Sequence, residues 1–187
     1  ITYKRTTHRS IDYLDASEVR AVLAGIDRQN IWGRRDYALI ALMFNTGARI
    51  QEIVSLQATD LHLAPPHSIH FLGKGRQERI CPLWPETARL LQQHIVDSGL
   101  DPHAPEALFR NHRGFALTRF GARLILRRHV ERALAIQPSL KGKRIHPHSI
   151  RHSTALNLLR SGVDLSTIAH WLGHKSINTT QKYLTID

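Results

Sequence analysis

Among its 187 residues the chain has one cysteine, Cys81, which excludes an intramolecular disulfide framework and points to a reducing, intracellular home. It has no apolar run of the ~20 residues needed to span a bilayer, and no signal-peptide pattern opens it. Internal repeats and low-complexity segments are missing. So are the phosphate-binding P-loop and the Rossmann glycine fingerprint, and no cofactor is expected. Acidic residues are scarce: 15 Asp plus Glu stand against 26 Lys plus Arg, a net charge of +11 with His neutral. A chain this basic, yet 42% hydrophobic, is no disordered tail, and such a domain most often meets a polyanion. The plain alternative is a basic protein with no anionic partner.

What is present suits one sizeable domain with a short arm. The chain opens on Ile1 rather than Met, as a fragment or processed form would. Residues 1–12, polar and basic, read as an arm or linker, with the domain proper over 13–187. Asp15 or Ser17 suits the cap of a helix over 16–29. "RRDYALIALMFNTG" reads as a buried helix ended by Gly47, followed by a short helix over 50–56. "SIHFLG" and "RQERICPL" read as strands joined by "GKG". Pro85 starts a helix running to Ser98, and 99–116 is Pro- and Gly-rich loop. Further helices fit 118–136, 147–161, 164–172 and 176–184, with Pro147 at a first helical position and Asp164 and Ser176 as N-caps.

Four stretches carry chemistry. In "HPHSIRHS", His148 and Arg151 are three apart on a helix and share a face. A guanidinium on a mostly buried helix needs an anionic partner, either an internal carboxylate or a phosphate, whose oxygens match its fork. A metal site through His146, His148 and His152 lacks the carboxylate or cysteine of any familiar spacing, so no metal is expected. In "NTGARIQEI", Glu52 is placed to orient Arg49, although such pairs are commonly surface ion pairs. In "GKGRQER", Lys74 sits at a hairpin tip, and Arg76 and Arg79 make the hairpin a basic finger suited to a phosphate backbone. "DLSTIAHWLGHKSINTTQKYL" reads, without context, as a helix-turn-helix. Separately, Arg119, Arg123 and Arg127 recur every four residues and form a basic stripe on the 118–136 helix, alternatively a merely solvated face.

In order, "TGARIQE", "GKGRQERICPL", "HPHSIRHS", "LGHKS" and "TTQKYL" resemble the five boxes of the tyrosine recombinases, the family of phage integrases, chromosome-dimer resolvases and transposon integrases. Each box alone is weak, while five in order are highly specific. The resemblance implies a mainly α fold with a small three-stranded antiparallel β-sheet, the tyrosine recombinase catalytic-domain fold. It implies site-specific cleavage and rejoining of double-stranded DNA through a 3′-phosphotyrosine at Tyr183. Arg49 and Arg151 would clamp the non-bridging oxygens, His148 would act as base, Lys74 would protonate the leaving 5′-oxygen, His174 would bind the phosphate and Glu52 would support Arg49. The 118–136 helix would approach the major groove, with Lys141, Lys143 and Arg144 on the backbone. Family members usually carry a separate N-terminal DNA-binding domain, to which 1–12 would be the linker, and continue further past the tyrosine. The resemblance also implies a homo-tetramer on paired sites, with this piece monomeric alone, in the cytoplasm and at the nucleoid of a bacterium. The rival readings are a non-catalytic helix-turn-helix regulator and a type IB topoisomerase.

Overall fold

The computed structural model describes residues 12–73, 77–174 and 176–185. Its described elements are mostly helical. In chain order they are α1 (Ala16–Ala24), α2 (Ile31–Thr46), α3 (Ile50–Val54), β1 (Leu61–His62), β2 (Ser68–Leu72), β3 (Glu78–Pro82), α4 (Pro85–Asp97), α5 (Arg119–Ala133), α6 (Pro147–Arg160), α7 (Leu165–Leu172) and α8 (Ile177–Gln181), the last followed by a 3₁₀ turn over Lys182–Thr185. The expected mainly α fold with a three-stranded antiparallel sheet, ordered β1-β2-β3, is what forms.

Local chemistry sets the helix ends. Asp15 caps α1, its carboxylate accepting from the Ser17 and Glu18 amides, while the Asp15 amide donates to the Glu18 carboxylate. The helix stops at Ala24 rather than running to 29, because Asn30 caps a new helix through the Gly33 amide. That cap starts α2 three residues before the expected Arg34. Thr118 caps α5, which ends at Ala133 instead of 136. Asp164 and Ser176 are the N-caps of α7 and α8, as their residue types suggest.

α2 is the central element, buried over most of its length with Leu39, Ile40, Leu42 and Met43 inaccessible. α4 and α6 pack against it, and α5 is fastened to it by charge. Asp36 of α2 accepts from Arg35, from Arg128 at 2.9 Å and from His129 Nε2 at 2.8 Å. Burial pushes the Asp36 carboxyl up, but the His129 and Arg35 bonds and charges outweigh it and hold the group below the usual carboxylate range.

The sheet places one functional expectation elsewhere. Side chains alternate between its faces, so Ile69 and Phe71 of β2 and Arg79 and Cys81 of β3 are buried together. Arg79 therefore points inward and is no part of a solvated finger. The Gly73 amide bonds the Gln77 carbonyl at 2.8 Å across the base of the β2–β3 hairpin. Lys74 and Arg76, expected at its tip, lie outside the described residues, as do residues 1–11 of the expected arm.

Candidate active site

Gly47 organises the site. It ends α2 in the left-handed conformation, φ 56°, where a Cβ would come within 2.6 Å of Leu172 and 3.1 Å of Thr154. The glycine thus lets α6 and α7 close onto the end of α2. Its carbonyl accepts from Arg151 Nη1 at 2.8 Å, which brings Arg151 beside Arg49, two residues on. Arg151 is only 4% exposed, and its Nη2 is buried with no hydrogen-bond partner among the described residues. Burial first, then the Arg49 charge, lowers its pKa to about 10. Arg49 has the opposite setting, its side chain 54% exposed.

Glu52 supports this pair differently than expected. Its main partner is Arg79, with contacts of 2.6 and 3.2 Å, and its Oε2 also accepts the Arg49 amide at 2.7 Å. The Arg49 guanidinium is farther, 3.6 Å from Oε1. Burial pushes Glu52 up, but the Arg79 bonds and charge, with the Arg49 amide, hold it below the usual range. Arg79 also donates to the Trp171 carbonyl at 3.2 Å and covers the Phe71 ring at 4.5 Å. A Cβ on Gly173 would come within 2.9 Å of it. Arg79 is thus an internal strut that joins β3, α3 and the end of α7, which corrects its assignment to the DNA backbone. Lys143 is corrected likewise: its Nζ bonds Glu18 at 2.7 Å and the Tyr13 carbonyl at 3.0 Å.

Arg49, Glu52, Arg79, His170 and His174 line a cleft of about 1140 Å³. His174 is oriented by its Nδ1 contact with Thr180 Oγ1 at 2.8 Å, and burial followed by the Arg151 and Arg49 charges lowers its pKa to about 4. His148 stands one turn before Arg151 on α6. Desolvation, then the Arg151, His146 and Arg49 charges, move its pKa below the ordinary histidine value. Both imidazoles are therefore biased toward the neutral form, able to accept a proton.

Tyr183 is the surprise. A late tyrosine in a polar tail suggests an exposed, swinging arm, yet the residue is 5% exposed and packs with Ala155, Leu156, Leu158, Ile168 and Leu172. Its ring meets His152 edge-on, centroids 4.6 Å apart, and lies 6.4 Å from His174. Nothing in the sequence pattern beyond its position beside Arg151 marks His152 as a tyrosine contact. Its Nε2 is buried without a partner among the described residues, and burial lowers its pKa to about 4.

The remaining basic residues are surface groups. Arg119, Arg123, Arg127, Lys141 and Arg144 are exposed, with Arg127 paired to Glu131 at 2.7 Å. The helix-turn-helix alternative fails on packing. α8 has only five residues, and α7 is anchored by Trp171 Nε1 to the Asn45 carbonyl at 3.0 Å, with Ile168 and Leu172 buried. No free recognition helix remains in that pair. Among the described residues no three His, Cys, Asp or Glu are grouped to hold a metal, and no helix is long and apolar enough to cross a membrane.

The site gathers guanidinium groups, imidazoles and one tyrosine at the ends of α2, α6 and α7, and residues 12–187 match the phage integrase family model. The chain belongs to the phage integrase family. It is 39% identical to the y4rC protein of Sinorhizobium fredii over 98% of this chain and 55% of that one. It is 36% identical to the tyrosine recombinase XerD of Listeria innocua over 91% of this chain and 56% of that one. A crystal structure of the XerH site-specific recombinase bound to its difH substrate, after cleavage, superposes with a TM-score of 0.82 at 27% identity, covering 96% of this chain and 51% of that chain. The chain spans about half the length of the curated relatives it matches.

Proposed function

We propose that the chain is the catalytic domain of a site-specific DNA recombinase that breaks and rejoins double-stranded DNA through Tyr183. The observation that carries this reading is the Arg151–Gly47 bond, which sets a buried guanidinium with an unpartnered Nη2 beside the exposed Arg49, next to His148, His174 and Tyr183. A buried guanidinium with an Nη2 free among the described residues and an exposed guanidinium beside it suit the two non-bridging oxygens of a phosphodiester.

In the forward step the Tyr183 oxygen bonds to phosphorus as the bond from phosphorus to the 5′-oxygen breaks. His148 takes the phenol proton, and Lys74, outside the described residues, delivers one to the leaving oxygen. Arg49 and Arg151 meet the charge that builds on the phosphoryl oxygens, and His174 adds a further bond. One such donor is worth about 3–4 kcal/mol in comparable sites. The phosphotyrosine keeps the energy of the broken diester, so a second 5′-hydroxyl reverses the step and rejoins the strand without ATP. Arg119, Arg123, Arg127, Lys141 and Arg144 bind the flanking duplex. The working assembly is four protomers on two duplexes, in a bacterial cytoplasm at the nucleoid.

The test is a suicide duplex, nicked close to the cleavage position of a site selected by binding. Wild type traps a covalent protein–DNA adduct and Tyr183→Phe traps none. An adduct that persists in Tyr183→Phe, or its absence in wild type on a bound site, overturns the reading.

A further inference from the structure

The outer face of α5 is not purely basic. Phe120 is 70% exposed and Leu124 47% exposed, the largest apolar side chains left in water on this helix. Each helical residue advances about 100°, so Arg119, Arg123 and Arg127 drift around the helix by about 40° per step. Phe120 falls within about 20° of Arg127, with Leu124 about 40° beyond it. The opposite side, through Ala122, Ile125, Leu126, His129 and Val130, is buried. The exposed face thus has a basic flank and an apolar ridge running beside it.

The basic flank points toward the chemistry. Arg119, Phe120 and Arg123 line, with Ile50, His146 and His148, a cleft of about 390 Å³. Such a cleft is about 7 Å across, or about two base-pair steps of 3.4 Å. A duplex whose scissile phosphate reaches His148 therefore lies against the start of α5. With the arginines on the backbone, the ridge faces the groove floor, where the one apolar group on a base edge is the thymine 5-methyl. Exposed aromatic surface so close to three guanidinium groups otherwise has no partner among the described residues.

Resting on the DNA-cleavage reading of this site, we propose that Phe120, flanked by Leu124, is a specificity-determining residue that reads thymine methyl groups in the major groove within a few base pairs of the cleavage position. The ring covers the methyl while Arg119 and Arg123 fix the register on the phosphates. Sequence preference at that step then comes from methyl burial, and phosphate contacts supply affinity that is indifferent to the base.

The experiment selects bound duplexes from a randomised pool and then replaces single thymines with deoxyuridine, which removes only the methyl. Wild type loses about 4-fold in affinity at the contacted thymine, the worth of one buried methyl group. Phe120→Ala binds the thymine and deoxyuridine duplexes equally, whereas Arg119→Gln weakens both and keeps the ratio. A ratio unchanged in Phe120→Ala, or no deoxyuridine effect in wild type, overturns the inference. If wild type still forms its covalent adduct in that case, the cleavage reading stands and only the thymine contact falls.

Discussion

Replacing Glu52 with glutamine removes one charge from the strut beneath the site and leaves its partner stranded. Glu52 and Arg79 have side chains 6% and 8% exposed, with a closest contact of 2.6 Å. A buried pair broken by loss of one member costs about 3–5 kcal/mol, because the survivor stays desolvated and unpaired. For a chain of this size that lowers Tm by about 6–20 °C. Urea unfolding followed by circular dichroism at pH 7 gives the difference directly. The carboxyl is held below its usual range in the fold, so its contribution is complete above the unfolded glutamate pKa of about 4.3 and is lost as pH falls through the lower folded value. The gap between wild type and Glu52→Gln therefore narrows only below about pH 4. Arg49→Gln is the contrast. Its side chain is exposed and 3.6 Å from the carboxylate, so it costs at most about 1 kcal/mol of stability while cleavage is lost. A cost below about 1 kcal/mol for Glu52→Gln would refute the strut, because Arg79 would then have found solvent.

Gly47→Ala forces an L residue into the left-handed region and a Cβ against Leu172, so it lowers stability by about 1–3 kcal/mol in urea unfolding. Because the Gly47 carbonyl holds Arg151, adduct formation falls as well. Single-turnover cleavage should hold its rate as pH drops from 8 through the ordinary histidine value of about 6.5 and fall only below it, since His148, the proposed base, stays neutral down to its lowered pKa. A rate already halved at or above pH 6.5 would contradict that assignment.

The elements that sequence alone exposes are those with strong local punctuation. Asp15, Gly47, Pro85, Pro147, Asp164 and Ser176 each mark a real boundary. β1, two residues long, carries too little pattern to be read, and the stop at Ala24 depends on Asn30 capping the next helix. For Arg79, strand alternation overrides the outward pull of its charge. It lies two residues from the buried Cys81, and that spacing assigns it inward before any charge is considered. Lys143 has no such local signal, because its partner Glu18 is 125 residues away in sequence. The five boxes place Arg49, His148, Arg151, His174 and Tyr183 in one region, but the polar tail around Tyr183 suggests a free arm where the fold packs the ring, because its apolar neighbours come from α6 and α7.

Its packing has a thermodynamic consequence. Burial raises the Tyr183 pKa and the Arg151 charge, acting in the other direction, does not overcome it, so the packed phenol is protonated and a poor nucleophile. Uncovering an aromatic side chain costs about 1.5–3 kcal/mol, which confines an open arrangement to between about 0.6% and 7% of the free protein. On the proposed reaction, DNA would expose the phenol only by binding the open arrangement more tightly by at least that amount. The packing around Tyr183 would, on that reaction, hold the phenol back in the free protein. The chain has four tyrosines, so an ultraviolet titration of wild type minus Tyr183→Phe isolates one phenol. In the free protein that step belongs above the usual value of about 10. A step at or below that value would mean the cations already reach the phenol, and restraint of the nucleophile would have to come from somewhere other than the packing around Tyr183.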